Sequence, residues 1–552
     1  MTRAAVALGA AAAVLAWSPA LAQVDEPHAL VFVIDGTTFT RFVDRPPVSG
    51  VVGSGGIAML RGPDPSITAI DALEAAGVPI VDVPPLGPPQ VTISRVLEGF
   101  DEELLVVVIG LASTDGIVDE GPDAVLLARG APASLLGRHH DAPLATLTSD
   151  STRRDGVVTP SDVVATVEEV ADVNVPRIDG GNPIAVVDSA PPVELYGKYL
   201  QYRTLSAPIQ TAIGMWEVAV GGLAVWALAS PRAPAALRRL ALAVSLSLPV
   251  LFLALLWVGH LPSLTYVTVL PALVGVTIVA GVMLLRVADR YGVGVALAWA
   301  GGVGLGGLLV ESLLGWTAAF APMLGGSQLD GFRFFGLPNA FLGLALGAAV
   351  LLATRIRSTT TGAWLIAGVG LWAGAPWFGA DIGGAVTLFA AAGVWWGIRG
   401  ERRWLPTALA TAGCVLVGTA LVIFAHRELT DAPTHITRFA ASPGGVSGIF
   451  ERVIDRLQIG LRLLMDQPPA LIPVVGTPVA LLIVLLRSPA PLRAGFEQEP
   501  SARPAAITIL IASIVAYLAN DTGAAALGLG FGVAMVCLFA VSLASTREMM
   551  DA

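Results

Sequence analysis

The sequence predicts an α/β extracytoplasmic domain with a mainly parallel sheet, followed by an all-α polytopic transmembrane domain of about 11 helices. The chain has 552 residues, of which 55% are apolar and only 13% are charged, whereas a soluble domain carries about 25% charged residues. Its mean hydropathy is +0.74. The charge is also divided, with 26 acidic and 11 basic residues in 23–205 against 16 acidic and 20 basic residues in 206–552.

The first 22 residues predict a secretory signal peptide, 1–22. Arg3 precedes a long apolar run, and Ala20-Leu21-Ala22 forms an A-x-A cleavage site before Gln23. An uncleaved N-terminal anchor is the alternative. Either interpretation places residues 23–205 outside the cytoplasm.

Eleven apolar stretches in 206–552 are each long enough to cross about 30 Å of hydrocarbon, with tilt and fraying allowed for. They are 208–229, 238–259, 264–285, 292–314, 339–354, 362–379, 383–398, 405–425, 470–487, 505–519 and 524–544. The two cysteines, Cys414 and Cys537, lie inside these stretches, so no disulfide framework is expected. The Gly-rich run Gly301–Gly307 also lies inside one stretch, where small residues favour close helix packing.

The arginines predict the orientation of these spans. If residue 205 lies outside, every predicted inner loop carries arginine, as the positive-inside rule requires. The inner arginines are Arg232, Arg238, Arg239, Arg286, Arg290, Arg355, Arg357, Arg399, Arg402, Arg403, Arg487, Arg493, Arg503 and Arg547. The prediction is therefore a multi-pass protein of the plasma membrane with a cytoplasmic C-terminus.

The long outer connection 426–469 contains a candidate amphipathic helix near 448–464. Apolar residues recur there at helical spacing, and charged residues occupy the opposite side. This pattern predicts a helix that lies in the outer membrane–water interface. A helix packed beneath the extracytoplasmic domain is the alternative.

Alternating strand and helix patterns predict the α/β domain. The predicted strands are 30–34, 78–83, 104–110 and 124–127, and the predicted helices are 66–76 and 161–170. Such alternation is typical of a mainly parallel sheet covered by helices. Ligands bind at the carboxyl ends of the strands in these sheets, and Asp35 directly follows the first strand.

Two segments of this domain resemble the alkaline phosphatase superfamily. The apolar strand that ends at Ile34-Asp35-Gly36 is similar to the metal-binding strand of that superfamily, and residues 157–167 are similar to its late D-x-x-P-T segment. The resemblance implies a phosphatase-like fold and a divalent metal at Asp35. It also implies a Ser or Thr nucleophile, for which the corresponding stretch offers only Ser54. An enzyme of this class transfers phosphoryl or related groups.

The domain departs from that superfamily in its metal ligands. Two divalent cations need a dense set of carboxylate and imidazole ligands. His139-His140-Asp141 is the only histidine cluster in the domain, and no Asp-x-x-x-His or Asp-His-Gly pair follows a strand. We therefore expect a degenerate phosphatase-like domain, a pseudoenzyme that acts as a gate or docking module. Asp35 is the one candidate metal ligand, and no other cofactor is expected.

Ionisable residues inside spans are costly and mark functional sites by default. Glu217 and Glu311 are two of them. Polar residues also occur beside Gly or Pro at span ends, in Arg333–Asn339, Gly379–Gly384 and Asn520–Gly523, and the long outer loop adds Thr434–Arg438. The predicted topology places all four motifs on the outer face. We expect broken helices here, whose free backbone groups line a shared site.

This combination resembles an uncharacterised family of bacterial polytopic membrane proteins with a phosphatase-like outer domain. Its members carry an Arg-Phe-Tyr-Gly-Ile-Gly-Asn-Glu-like, a Gly-Ala-Asn-Val-Gly-Gly-like and an Asn-Asp-Ser-Gly-like segment, which here are Arg333–Ala340, Gly379–Gly384 and Asn520–Gly523. The layout is also similar to that of the ethanolamine-phosphate transferases that modify lipid anchors, without their active-site motifs. The resemblance implies an organisation of the chain and no settled activity.

The first functional hypothesis is an integral membrane protein that transports or flips an anionic, lipid-linked cell-envelope substrate at the outer leaflet. The predicted substrate-binding residues are Arg333, Asn339, Asp381, His435, Arg438, Asn520 and Asp521. The cationic side chains would contact the anionic head group, and the two aspartates would couple movement to a proton or another cation.

Two other hypotheses stay open. One is a metal-dependent lipid phosphotransferase or phosphodiesterase with its metal at Asp35, and the other is a structural envelope scaffold. The expected partners are membrane lipids and a lipid-linked envelope precursor. Nucleic acid is excluded because an acidic outer domain does not bind phosphates. No oligomeric state is predicted.

Overall fold

The computed structural model describes residues 29–35, 56–60, 66–76, 78–83, 93, 104–111, 123–130, 145–149, 152, 157–171, 175, 181–187, 193–230, 233–328, 335–430, 454, 458, 481, 484–520 and 523–551. The chain divides into two compact units. The first comprises Met1–Gly197 and Gly331–Phe334, and the second comprises Lys198–Asp330 and Phe335–Ala552. We call them the N-terminal unit and the membrane unit.

The N-terminal unit contains one eight-stranded sheet. Its strands are β1 (Ala29–Asp35), β2 (Gly56–Leu60), β3 (Ile80–Val83), β4 (Leu104–Leu111), β5 (Asp123–Gly130), β6 (Ala145–Thr148), β7 (Val157–Val158) and β8 (Ala185–Val187). The order across the sheet is β3-β1-β4-β5-β2-β6-β8, and β7 pairs with β2. All described strands except β5 and β8 share one direction. The predicted mainly parallel sheet is confirmed.

Two helices of this unit, α1 (Ser66–Ala75) and α2 (Pro160–Ala171), pack against the sheet. Val31 of β1 and Val107 of β4 share one buried core with Leu73 of α1 and Val163 of α2. The predicted strands and helices are all present. The sequence prediction omits β2, β6, β7 and β8, which are short and lack long apolar runs.

The membrane unit is helical. Its helices are α3 (Val193–Ala229), α4 (Ala235–Trp257), α5 (Tyr266–Tyr291), α6 (Val293–Leu313), α7 (Asn339–Ala353), α8 (Thr359–Gly374), α9 (Ile382–Arg399), α10 (Trp404–Glu428), α11 (Ala490–Gln498), α12 (Ala502–Ala519) and α13 (Gly523–Asp551). Eight of the described helices are long and apolar enough to cross a membrane, and α7 is apolar but shorter, with 15 residues. By helix length and composition, the chain is a multi-pass membrane protein.

Ten of the eleven predicted spans coincide with described helices, namely α3 to α10, α12 and α13. The remaining stretch, 470–487, and the amphipathic helix predicted near 448–464 lie almost wholly outside the described residues. The predicted signal peptide, 1–22, lies outside them as well. The predicted span 362–379 is too long, because α8 ends at Gly374 and the chain turns out of the helix before Pro376. The orientation of these helices, with the arginine-rich ends in the cytoplasm, stays a prediction.

Small residues bring the helices of the membrane unit close together. A Cβ atom added to Gly301 would lie 2.9 Å from the Ala348 carbonyl oxygen of α7, and one added to Gly307 would lie 2.2 Å from the Leu253 side chain of α4. The predicted packing role of the Gly301–Gly307 run is therefore confirmed. Among the spanning helices, α13 and α4 are the most buried, whereas α10 exposes most of its surface.

Candidate functional site

The membrane unit contains two segments between helices that are not α-helical, and these two segments contact each other. We call each of them a break. One lies between α6 and α7 and includes residues 314–328 and 335–338, and the other lies between α8 and α9 and includes residues 375–381. We call these residues the break region. Although they are not α-helical, large side chains such as Trp316 and Phe320 are fully buried there. Non-helical backbone at membrane depth must find its hydrogen-bond partners inside the protein or line a cavity.

The longer break is fastened to the helix bundle by hydrogen bonds. The Met323 N–H donates to the Leu255 carbonyl at 2.7 Å. The Ser327 hydroxyl donates to the Phe320 carbonyl at 2.5 Å, and the Ser327 N–H donates to the Tyr202 hydroxyl at 2.9 Å. These contacts hold residues 314–328 against the ends of α4 and α3.

Hydrogen bonds also join the two breaks to each other. The Leu337 N–H donates to the Gly379 carbonyl at 2.8 Å, and the Trp316 indole donates to the Phe378 carbonyl at 2.5 Å. Within the longer break, the Gln328 side-chain amide donates to the Gly336 carbonyl at 3.1 Å. Gly336 has a φ of +102°, and a Cβ atom there would lie 2.1 Å from the Gly379 carbonyl oxygen. Only glycine fits this crossing. Two of the predicted motifs therefore meet here.

Asp381 closes the shorter break and is the N-cap residue of α9. It is completely buried, and its N–H donates to the Ala373 carbonyl at 2.9 Å. The preceding Ala380 has a φ of +46°, which is uncommon outside glycine. A Cβ atom added to Gly384 would lie 2.6 Å from the Asp381 Oδ2 atom. The carboxylate therefore lies at the first turn of α9, where the helix dipole stabilises a negative charge.

Asn520 follows α12 and lies against the same turn of α9. Its side chain is almost fully buried, and its Nδ2 donates to the Ala516 carbonyl at 3.1 Å. The Asn520 Oδ1 atom is 2.3 Å from the position that a Cβ atom on Gly383 would occupy. Within the described part of the chain, no donor reaches this Oδ1 atom. Asp381 and Asn520, which come from two predicted motifs, thus lie beside consecutive glycines of one helix turn.

Asn339 is the first residue of α7, directly after Pro338, and it is partly buried. The hydrogen bond from Leu337 to Gly379 fixes this segment beside the shorter break. The structure therefore brings together the segments that hold Asn339, Asp381 and Asn520. The other predicted substrate-binding residues, Arg333, His435, Arg438 and Asp521, lie outside the described residues.

The sequence marks Glu311 as an ionisable residue inside a span, but it does not predict the partner of Glu311 at this end of the helices. Glu311 lies near the C-terminus of α6 and is completely buried, and its Oε2 atom is 2.7 Å from the His260 Nε2 atom. His260 ends a one-turn 3₁₀ helix, Val258–His260, that follows α4. One sequence signal was available, since the two residues lie at the same-side ends of the predicted spans 238–259 and 292–314.

A further buried histidine packs α10 against α8. His426 is 1% exposed, and its Nε2 atom lies 2.8 Å from the Gly374 carbonyl oxygen. Because a carbonyl oxygen only accepts, the Nε2 atom carries the proton in this contact. His426 therefore satisfies one of the last carbonyl groups of α8 and differs from His260, whose contact is a carboxylate.

In the N-terminal unit, Asp35 is the last residue of β1, which lies between the parallel strands β3 and β4. This is the edge of a parallel sheet at which ligands bind. Ser54 and His139-His140-Asp141 lie outside the described residues. The residues that the structure describes contain no group of three or more His, Cys, Asp or Glu that could hold a metal ion.

The segment similar to the D-x-x-P-T motif forms β7 and the start of α2. Asp162 is completely buried there. Its Oδ2 atom accepts from the Thr159 N–H at 2.7 Å, and its Oδ1 atom accepts from the Asn182 N–H at 2.9 Å. Oδ2 and the Thr159 hydroxyl, which accepts from the Asp162 N–H, therefore form a reciprocal cap at the start of α2, whereas Oδ1 ties this turn to Asn182.

No family model matches the chain, and no curated protein or solved structure matches it either. By the length and composition of its helices, the chain belongs to the class of multi-pass membrane proteins. The function is inferred from the geometry and chemistry of the chain itself.

Proposed function

We propose that the membrane unit binds an anionic, lipid-linked cell-envelope substrate in the break region and moves it at the outer leaflet. The observation that carries this proposal is the meeting of three separate motifs. Gly336 and Leu337 contact Gly379, and Gly383 contacts Asn520. Motifs that are about 40 to 180 residues apart in the sequence therefore contact the same segment, Gly379–Gly384, which unrelated surface turns would not require.

The chemistry of this turn suits an anionic group. The first N–H groups of a helix have no carbonyl partner within it, and the helix dipole adds a partial positive charge. In α9 these N–H groups belong to Ile382, Gly383 and Gly384. The Asp381 carboxylate lies against Gly384, so an anionic group would bind here only when that carboxylate is neutral or has moved away. Broken helices in transporters present their N-termini to anionic substrate groups in this way.

The remaining charges complete the proposed site. His435 and Arg438 would supply the positive charge that an anionic head group needs. Asp381 and Asp521 would exchange a proton or another cation as the substrate moves. In this proposal the N-terminal unit lies outside the cytoplasm and acts as a gate or docking module.

A second candidate is a metal-dependent lipid phosphotransferase or phosphodiesterase. The observation in its favour is the position of Asp35 at the carboxyl edge of β1, between two parallel strands. A divalent cation needs several oxygen or nitrogen ligands, and the described residues supply one at this place. The two candidates are separated by metal analysis of the full chain, since only the second expects stoichiometric metal that is lost in Asp35→Ala.

The test of the first candidate is mass spectrometry of the lipids that co-purify with the full chain from its own membranes. We expect an anionic lipid-linked species with the wild type and at least a fivefold loss in Asp381→Asn. The control is Asp289→Asn, which removes a carboxylate paired with Arg239 at the opposite end of the helices. Equal amounts in all three proteins, or no anionic species in any of them, would contradict the proposal.

A further inference from the structure

Glu311 is an ionisable group that the apolar helix bundle encloses completely. Its two oxygens are used separately. Oε1 accepts from the Ala318 N–H at 2.7 Å, and Oε2 lies 2.7 Å from the His260 Nε2 atom. A contact of this length between a ring nitrogen and a carboxylate oxygen is a hydrogen bond, so one proton lies between the two atoms. A buried carboxylate without such partners would be strongly destabilising.

His260 connects this buried group to the surface of the membrane unit. Its side chain is 35% exposed, in contrast to the fully enclosed carboxylate. The edge of the Trp257 ring packs at a centroid distance of 6.0 Å and orients the imidazole. Histidine is the side chain that changes its charge between about pH 5 and pH 8. The pair therefore joins a proton-exchanging ring on the accessible side to a carboxylate on the enclosed side.

The pair is also tied to the longer break. Glu311 holds the Ala318 N–H, and a Cβ atom added to Gly259, the neighbour of His260, would lie 2.2 Å from the Ala318 carbonyl oxygen. From there the Gln328 N–H donates to the Ala319 carbonyl. The turn that carries Ala318 lies within the buried segment 314–328. The His260–Glu311 pair therefore contacts this segment directly.

That segment reaches the shorter break by two routes. Gln328 donates to the Gly336 carbonyl, whose neighbour contacts Gly379, and the Trp316 indole donates to the Phe378 carbonyl. Both Phe378 and Gly379 lie within three residues of Asp381. Hydrogen bonds linked by short stretches of backbone therefore connect the His260–Glu311 pair to the start of α9.

We propose that the His260–Glu311 pair is the proton-binding site of the membrane unit, and that its proton occupancy sets the position of residues 314–328. The bound state is an imidazolium paired with the Glu311 carboxylate. When the imidazolium releases its proton to water, the carboxylate keeps the Ala318 N–H but loses its cation, and the Ala318 turn must rearrange. That this proton drives substrate movement depends on the function proposed above, whereas proton binding itself does not.

Other titratable groups surround the pair. On the elements that pack at this level of the described structure, they are Tyr266 of α5 and Lys198, Tyr199, Tyr202 and Arg203 of α3. Tyr199 packs on Phe320 at a ring-centroid distance of 6.3 Å, and Tyr202 bonds to the break itself. Apart from Glu311, α4, α6 and the turn Ala318–Phe320 add no titratable side chain here.

The test is hydrogen–deuterium exchange of the full chain in lipid nanodiscs, without substrate, at pH 5.5 and pH 8.5. After correction for the chemical exchange rate, we expect residues 314–328 of the wild type to exchange at least fivefold faster at pH 8.5. Glu311→Gln and His260→Gln should each reduce this ratio below twofold. The control is His426→Gln, a buried histidine whose partner is a carbonyl, and it should keep the wild-type ratio.

A wild-type ratio near one, or an unchanged ratio in Glu311→Gln, would overturn the proposal. If Glu311→Gln does not fold, the proposal is tested on the wild type by the ¹⁵N NMR signal of the His260 ring. This signal is assigned by its absence from the spectrum of His260→Gln. We expect a one-proton titration that coincides with the change in exchange, and a ring that keeps one protonation state from pH 5 to pH 9 would overturn the site. Lipid co-purification is measured in a separate experiment. A negative result there would contradict the proposed function but not the proton-binding site, and a negative exchange result would contradict the proton-binding site alone.

Discussion

A carboxylate contacts each end of α6, and the two carboxylates have nearly the same pattern of contacts. At its C-terminal end, Glu311 accepts one backbone N–H and contacts the imidazole of His260. At the N-terminal end of α6, the carboxylate of Glu499 accepts one hydrogen bond from the Gly294 N–H at 3.1 Å and another from the Arg355 guanidinium at 3.1 Å. Each carboxylate therefore connects the end of α6 to another segment through one main-chain and one side-chain donor.

The difference lies in burial and in the cation. The Glu311 side chain is fully enclosed, whereas the Glu499 side chain is 21% exposed and Arg355 is 45% exposed. Arginine stays charged at every physiological pH, and histidine does not. The comparison teaches that the Glu499 end is a permanent clamp, whereas the Glu311 end pairs its carboxylate with a histidine and adjoins the break region.

The largest expected difference between the two ends is their accessibility to a membrane-impermeant thiol reagent. In a chain whose Cys414 and Cys537 are replaced by serine, we expect Thr265→Cys, near the His260 turn, to react in intact cells. Ser358→Cys, near Arg355, should react only after permeabilisation. The predicted signal peptide and the arginine distribution both favour this orientation, and labelling in the opposite sense would contradict it.

The next largest difference is the stability lost when each carboxylate is removed. Glu311→Ala leaves the His260 ring and the Ala318 N–H without their acceptor, and it should cost about 3–5 kcal/mol, as for other broken buried pairs. Glu499→Ala should cost only about 1 kcal/mol, because that pair is partly hydrated. Reversible unfolding in mixed detergent micelles measures both. Equal losses would show that the two ends are energetically equivalent.

Glycine-to-alanine substitutions at the two ends of α6 should differ by a smaller amount in the stability that they cost. A Cβ atom on Gly259 would meet the backbone of Ala318 at 2.2 Å, whereas one on Gly294 would meet only the flexible Glu499 side chain at 2.3 Å. Gly259→Ala should therefore destabilise the protein by about 1–3 kcal/mol, as overpacking does. Gly294→Ala should cost less than about 0.5 kcal/mol, since the carboxylate can move aside. The same unfolding measurement tests this pair, and the reverse order would contradict it.

The smallest expected effect concerns salt. Arg355→Gln should lower the free energy of unfolding by less than about 1 kcal/mol at low ionic strength and by still less in 0.5 M salt, because exposed ion pairs are screened. The effect of Glu311→Ala should not change measurably over the same range. If the stability lost in Arg355→Gln does not depend on salt, the Arg355–Glu499 contact does not act as a surface ion pair.

Much of the fold could be predicted because long apolar runs and short α/β alternation are local signals. The ends of α8 and α9 could be anticipated in outline, since Gly379–Gly384 combines glycines with an aspartate at a span end. The prediction that Gly336, Asp381 and Asn520 belong to neighbouring segments is consistent with their contacts, but what this site binds stays a prediction.

The His260–Glu311 pair could not be predicted in the same way. The two residues are 51 positions apart, and neither belongs to a motif with Gly, Pro and a polar residue. Only the packing of α4 against α6 and the fold of residues 314–328 bring them together. The strands β7 and β8 were missed for a related reason, because two or three residues carry too little pattern.

The most direct test of the break region as the substrate site is cryo-electron microscopy of the full chain in nanodiscs made from its own membranes. We expect non-protein density beside the first turn of α9, within contact of Asp381 and Asn520, and its loss in Asp381→Asn. Density confined to the lipid-facing surface of α10 or to the Glu499 end, with none at the break region, would contradict this assignment.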